Sequence, residues 1–201
     1  MKRSHHQSGI AAVEFALLLP ILLLLLLGVI DGARALQANI IMVNIGREGA
    51  NLAARGSIPL DTGSQDILYA LMASAPPLNV ERQGMVYITR VMGVVSGGSK
   101  YSVVLDQYRW DDAKRKLGYR SNGYLPDSRV YQCTSWSGTG ACSGIDEKKR
   151  PHTTIMSGKL GDGEVVHVVE TFYQYDTLAA DASTYLGLPL FGPDLYSMTV
   201  F

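Results

Sequence analysis

Few side chains in this sequence are of types that do chemistry near neutral pH, and their spacing limits what they could do. Beyond His5 and His6 the histidines are His152 and His167. Neither belongs to a recognisable catalytic pattern: there is no G-x-S-x-G elbow, no H-E-x-x-H pair and no Gly-rich phosphate loop. His167 lies inside "EVVHVVETFYQYDTL" (164–178), an apolar run that reads as a strand, so a packed or surface strand residue is its expected role. The preceding "GDGE" (161–164) reads as a turn, and Phe172, Tyr173 and Tyr175 read as sheet packing. The chain is therefore expected not to be an enzyme, and to use no cofactor and no metal.

The second group is Cys133 and Cys142, in "CTSWSGTGAC". An even count, close spacing and a Gly/Ser-rich loop predict a local disulfide, which suits an oxidising compartment such as the bacterial periplasm. Two free buried thiols are the alternative. A zinc site is disfavoured because the spacing is too long for a usual ligand pair and no His pair stands nearby to complete it.

The third is Glu14, inside "SGIAAVEFALLLPILLLLLLGVI" (8–30). A carboxylate at the centre of a membrane helix costs about 2.5–3.5 kcal/mol on insertion scales, and less near the ends. Residues 10–30 carry no other charge. As a helix they span about 31 Å, close to a hydrocarbon core of about 30 Å. Lys2 and Arg3 precede them and should stay cytoplasmic, with the rest of the chain outside. A permanent signal anchor fits. So does a secretory signal peptide cut after "ARA" (33–35), which would leave a secreted or membrane-anchored binding domain starting at Leu36. Neither needs Glu14, which in the simplest case snorkels to the interface.

These residues must be positioned by a larger frame. Val29, Ala33, Leu36, Ile40 and Val43 recur at helical spacing, and no Pro interrupts residues 21–58. The helix should run from Ile10 to Ala54, about 68 Å at ~1.5 Å per residue, and stop at "ARGSIP". Pro20 should kink its membrane half by removing a hydrogen bond. Gly28 and Gly32 form a GxxxG spacing that permits close helix approach. A short helix is predicted at 64–74, with Ile67, Leu68, Leu71 and Met72 on its apolar face, ended by Pro76–Pro77. "MVYITRVMGVV" (85–95) and "KYSVVLDQYRW" (100–110) predict a hairpin turning at "SGG" (96–98), and "LYSMTVF" (195–201) a last strand. Residues 111–163 read as a surface insertion pinned by the disulfide, with "RVYQCTSW" (129–136) its best strand candidate and "DDAKRK" and "DEKKR" as solvated faces. The architecture is α+β: a long helix packed against an antiparallel sheet. Lys plus Arg total 18 and Asp plus Glu 18, so a basic nucleic-acid surface is not expected.

"GIAAVEF" resembles the processing site of class IVb prepilins, in particular the pseudopilins of tight-adherence (Tad) systems. The resemblance to the TadE-like family extends over residues 11–56, through "EFALLLP", the acidic-x-x-Arg step of Asp31 and Arg34, and "REGA". It implies a pilin-like fold and a leader of residues 1–9, cut after Gly9 by a prepilin peptidase. Ile10 then becomes the first mature residue, with Glu14 and Phe15 following. It implies a membrane segment at 10–30, a periplasmic helical continuation at 31–56 and an outer domain at 57–201. The implied partners are the prepilin peptidase, sister minor pilins, the major pilin, the inner-membrane assembly platform and membrane lipid. The resemblance also gives Glu14 a purpose: its carboxylate can neutralise the new α-amine of Ile10, on its own chain or a neighbour's, and a paired charge is far cheaper to hold in apolar surroundings than a lone one. An outer domain larger than the small, mostly helical major pilin favours a minor pilin, acting in initiation or at the tip of a Tad/Flp-type pilus used in adherence.

Overall fold

The computed structural model describes residues 8–54, 60–177 and 194–201. The leader's residues 1–7 and the stop signal at residues 55–59 lie outside the described residues. Helix α1 runs over Ser8–Ala54 and stays helical through Pro20. The chain divides into two compact units within it, after Gln37; the second holds Ala38–Tyr175 and Pro193–Phe201.

In the second unit, α1 buries Ala38, Met42, Ile45, Gly46, Gly49 and Ala50, one helical face. The large apolar residues whose spacing marks the helix are mostly elsewhere on it. Val29 is 70% exposed, Leu36 67% and Ile40 62%. Small residues decide the outcome. A Cβ at Gly49 would stand 2.8 Å from a Leu71 methyl, and one at Gly46 would stand 2.8 Å from Thr199 Oγ1. The helix therefore approaches the sheet along its narrowest side.

Helix α2 (Leu60–Ala73) starts earlier than predicted and buries the expected Ile67, Leu68, Leu71 and Met72. After the short α3 (Val80–Gln83) come β1 (Gly84–Ser96) and β2 (Ser99–Arg109). They form the predicted hairpin. Its two-residue loop is Gly97–Gly98, both at positive φ (58° and 80°), which matches the twist of the flanking strands. Short β3 (Asp111–Asp112), β4 (Leu117–Gly118), α4 (Tyr119–Asn122) and β5 (His152–Thr153) follow, then β6 (Val165–Tyr173) and β7 (Leu195–Val200). The main sheet is antiparallel in the order β5-β2-β1-β6-β7. Strand β6 ends at Tyr173, short of the predicted residue 178.

The segment 111–163 is not a surface insertion alone. Its Val130 and Leu160 pack with Val91, Val166 and Val168, so it covers the sheet face opposite α1. Strand β6 is thus buried on both sides, which is why it reads as an almost unbroken apolar run. Residues 129–136 form no strand. Ser128 Oγ accepts from the N–H groups of Val130 (3.2 Å) and Tyr131 (3.3 Å), and this local turn competes with a ladder. "DDAKRK" is only partly solvated: Asp111 and Asp112 are each 2% exposed, and Asp112 accepts from the N–H groups of Lys114 and Arg115 while pairing with the Arg115 guanidinium at 2.6 Å. Residues 146–149 of "DEKKR" are exposed, as expected.

Candidate functional site

Gly9 and Ile10 lie in the first turn of α1, with Glu14 and Phe15 one turn on. Residues 11–30 are all exposed, Phe15 at 60%. Among the described residues no hydrogen bond or ion pair engages Glu14, so its carboxylate is open to a partner beyond these side chains. At Gly28 and Gly32 an added Cβ would meet nothing within 4 Å, unlike at Gly46 and Gly49. These two glycines therefore answer no packing need of the described chain and leave a flat lane on the helix. Asp31 is buried, and Arg34 reaches its Oδ1 at 3.5 Å one turn along.

In the second unit the structure joins Cys133 to Cys142, with Cα atoms 5.9 Å apart. What the bridge holds was not visible in the sequence. The Gly140 carbonyl accepts from the Arg109 N–H (2.8 Å), and the Cys142 N–H donates to the Gln107 carbonyl (2.8 Å). The stapled loop thus pairs with the edge of β2 away from β1, past the short β5. Trp136, from the same loop, packs on Tyr87 and lies 4.9 Å from the Arg109 guanidinium, which is also 3.9 Å from the Tyr119 ring. Asp111 binds Arg109 through Oδ2 (2.6 Å) and stands 2.7 Å from Arg120 Nε through Oδ1. An open cavity of about 500 Å³ lies over Arg109, Tyr119, Arg120 and Trp136. Since both guanidinium groups are committed to one buried carboxylate, this cluster anchors the loop.

Sequence reasoning also passed over Glu170, which is wholly buried on β6. Its carboxylate accepts from the Ser128 hydroxyl, the Arg129 N–H (2.8 Å) and the Tyr196 hydroxyl (3.0 Å). Burial and this carboxylate push the Tyr196 hydroxyl above its ordinary pKa, so it stays a donor. The signal was a lone acid within an apolar run, which in a strand buried on both faces must find internal donors. Gln107 does similar work on β2, donating to Ser128 Oγ at 2.9 Å and to the Tyr131 carbonyl at 3.0 Å. His167 is half-buried on β6. Burial and the nearby Arg90 guanidinium lower its pKa, against the pull of Asp106. Among the described residues no group of three His, Cys, Asp or Glu side chains could hold a metal ion.

One N-terminal helix is long and apolar enough to cross a membrane, and it continues into a disulfide-bearing α+β domain. That combination fits a single-pass, helix-anchored protein. Residues 9–51 match the family model described as "TadE-like protein", and the chain carries this TadE-like segment from Gly9 almost to the end of α1. The match supports a Tad pilus-associated protein. The sheet lies outside it. No curated protein and no solved structure matches the chain.

Proposed function

We propose that the chain is a minor pilin, or pseudopilin, that takes part in assembling a Tad/Flp-type pilus used in adherence, at initiation or at the tip. It is a structural protein and not an enzyme. The observation that carries this reading is the TadE-like segment, which places "GIAAVEF" at the head of a membrane-capable helix whose later turns are built into a folded domain. Prepilin peptidase cuts after Gly9. Ile10 to Ile30 stays in the inner membrane, and the basic leader is cytoplasmic before its removal. The α+β domain is periplasmic, in keeping with its disulfide. Glu14 then meets the amine of Ile10 on a neighbouring pilin, and the open lane at Gly28 and Gly32 lets a partner helix come close. Sister minor pilins, the major pilin and the assembly platform are the partners. The test is genetic: deleting the gene in its bacterium should abolish surface pili while the major pilin is still made, and wild-type but not Gly9→Arg copies should restore them. Normal piliation in the deletion strain would overturn the assembly role.

A further inference from the structure

The charged residues lining the open cavity beside the stapled loop are Arg109, Arg120 and Asp111, two cations against one anion. The Asp111 side chain is 3% exposed and withdrawn from the opening, whereas that of Arg120 is 39% exposed. Holding Asp111 uses only part of each guanidinium. Arg109 donates to Oδ2 through Nε (3.1 Å) and Nη2 (2.6 Å). Arg120 Nε stands 2.7 Å from Oδ1 without hydrogen-bond alignment, and its Nη2 donates to the Gly138 carbonyl (2.7 Å). A guanidinium carries five N–H donors. Among the described residues no acceptor meets the Nη1 of either arginine or the Tyr119 hydroxyl. Neither Arg109 Nη1 nor the Tyr119 hydroxyl is sealed from solvent.

Spare donors and an excess of positive charge around one opening call for an acceptor that carries negative charge. A carboxylate matches the guanidinium edge, because its two oxygens can accept parallel N–H bonds. The aromatic walls are already engaged: the Arg109 guanidinium lies 3.9 Å from the Tyr119 ring and 4.9 Å from that of Trp136, which disfavours a stacked sugar as the occupant. The cavity is also open, and a site for a free small molecule ordinarily encloses most of its ligand. An open, donor-rich depression suits a side chain projecting from another protein's surface. We propose that this cavity docks an Asp or Glu side chain of a partner protein, received by the free edges of Arg109 and Arg120 and by the Tyr119 hydroxyl. The site is formed in advance. Asp111 and two rings fix Arg109, and the Cys133–Cys142 bridge holds the loop that supplies Trp136 and Gly138, so little ordering cost remains on binding. This inference does not depend on the pilus reading.

The test uses the full chain, native disulfide intact, in detergent micelles. It is titrated with acetyl-Gly-Glu-Glu-Gly-amide and followed by NMR at the Gly138 amide and the Arg120 Nε–H. The Glu peptide should shift both resonances saturably, and its Gln counterpart should bind at least about tenfold more weakly, as loss of a charge-assisted hydrogen bond predicts. Arg120→Gln leaves Asp111 its Arg109 partner and should weaken the Glu peptide about tenfold. Arg120→Lys keeps the charge but not the fork and should recover only part of the loss. If Arg120→Gln melts below the wild type, the comparison of Glu and Gln peptides on the unaltered chain decides. Equal binding of the two peptides, no saturable shift, or a folded Arg120→Gln protein that binds as the wild type does would overturn the proposal. So would acetate or glucuronate binding as tightly as the Glu peptide, which would make this a site for free acids or sugar acids and not for a partner's side chain.

Discussion

The close seating of α1 on the sheet gives a sharp steric prediction for Gly49. An ideal Cβ there lies 2.8 Å from Leu71 Cδ1 and 3.3 Å from Val169 Cγ1, inside the usual carbon contact of about 3.5–4.0 Å. Leu71 and Val169 are themselves 0% exposed, so neither can swing into solvent. Gly49→Ala needs only a small shift of one methyl, and its helix propensity gain of about 1 kcal/mol offsets that strain. Gly49→Leu pushes three more carbons into the same place. Overpacking of this kind costs up to about 3 kcal/mol, against a propensity gain of somewhat under 1, leaving a net loss near ~2 kcal/mol. For a domain of this size that lowers Tm by about 4–8 °C. The assay is thermal unfolding in micelles followed by near-ultraviolet circular dichroism, where the fully buried Trp110 reports tertiary packing. Gly28→Leu is the control, because nothing stands within 4 Å of a Cβ at Gly28. A Gly49→Leu protein melting at or above the wild-type temperature would refute the seating of α1 on Leu71 and Val169.

Three further predictions concern the bridge, the membrane carboxylate and pH. Replacing Cys133 and Cys142 together by alanine should cost roughly 2–3 kcal/mol in the chain-entropy model, read from urea unfolding, with faster hydrogen exchange at the Arg109 amide that bonds to the loop; unchanged exchange there would show that the loop does not need its staple. Glu14→Gln should leave processing intact but cut recovery of partner pilins in pull-downs at least about tenfold, the ratio that ~1.4 kcal/mol gives; full recovery would leave Glu14 only a snorkelling role. Because His167 has a lowered pKa in the fold, the unfolded chain binds its proton more readily, so stability should rise with pH from below the folded value up to the ordinary 6.5. That slope should diminish in His167→Gln, and an unaltered stability–pH curve would remove His167 as its source.

The elements most legible in the sequence were those with one strong local signal. The hairpin followed from two apolar runs around Gly97–Gly98, α2 from its four apolar residues, and the bridge from two nearby cysteines. The large apolar residues of α1 mark the helix by their spacing but do not show its buried face. Leu36 and Ile40 are large but face outward, while Gly46, Gly49 and Ala50 are buried because their smallness lets two backbones approach. The segment 111–163 was misread for a related reason. Its few apolar side chains, Val130 and Leu160 among them, are far apart in sequence and become a layer only when the sheet brings them together. Asp111, Asp112 and Glu170 looked like surface charges or passed unnoticed. Their burial depends on donors supplied by distant segments, Arg109 and Arg120 for Asp111 and Ser128, Arg129 and Tyr196 for Glu170, which no local window displays.

If Gly9 is a processing site, the mature N-terminus shows it most directly. The chain is co-expressed with the matching prepilin peptidase, recovered from membranes and measured by intact-mass and N-terminal peptide analysis. The expected product is a chain beginning at Ile10, still membrane-associated, with Gly9→Arg left uncut. A chain beginning at Leu36 and released from the membrane would contradict it, and would identify the apolar segment as an ordinary secretory signal.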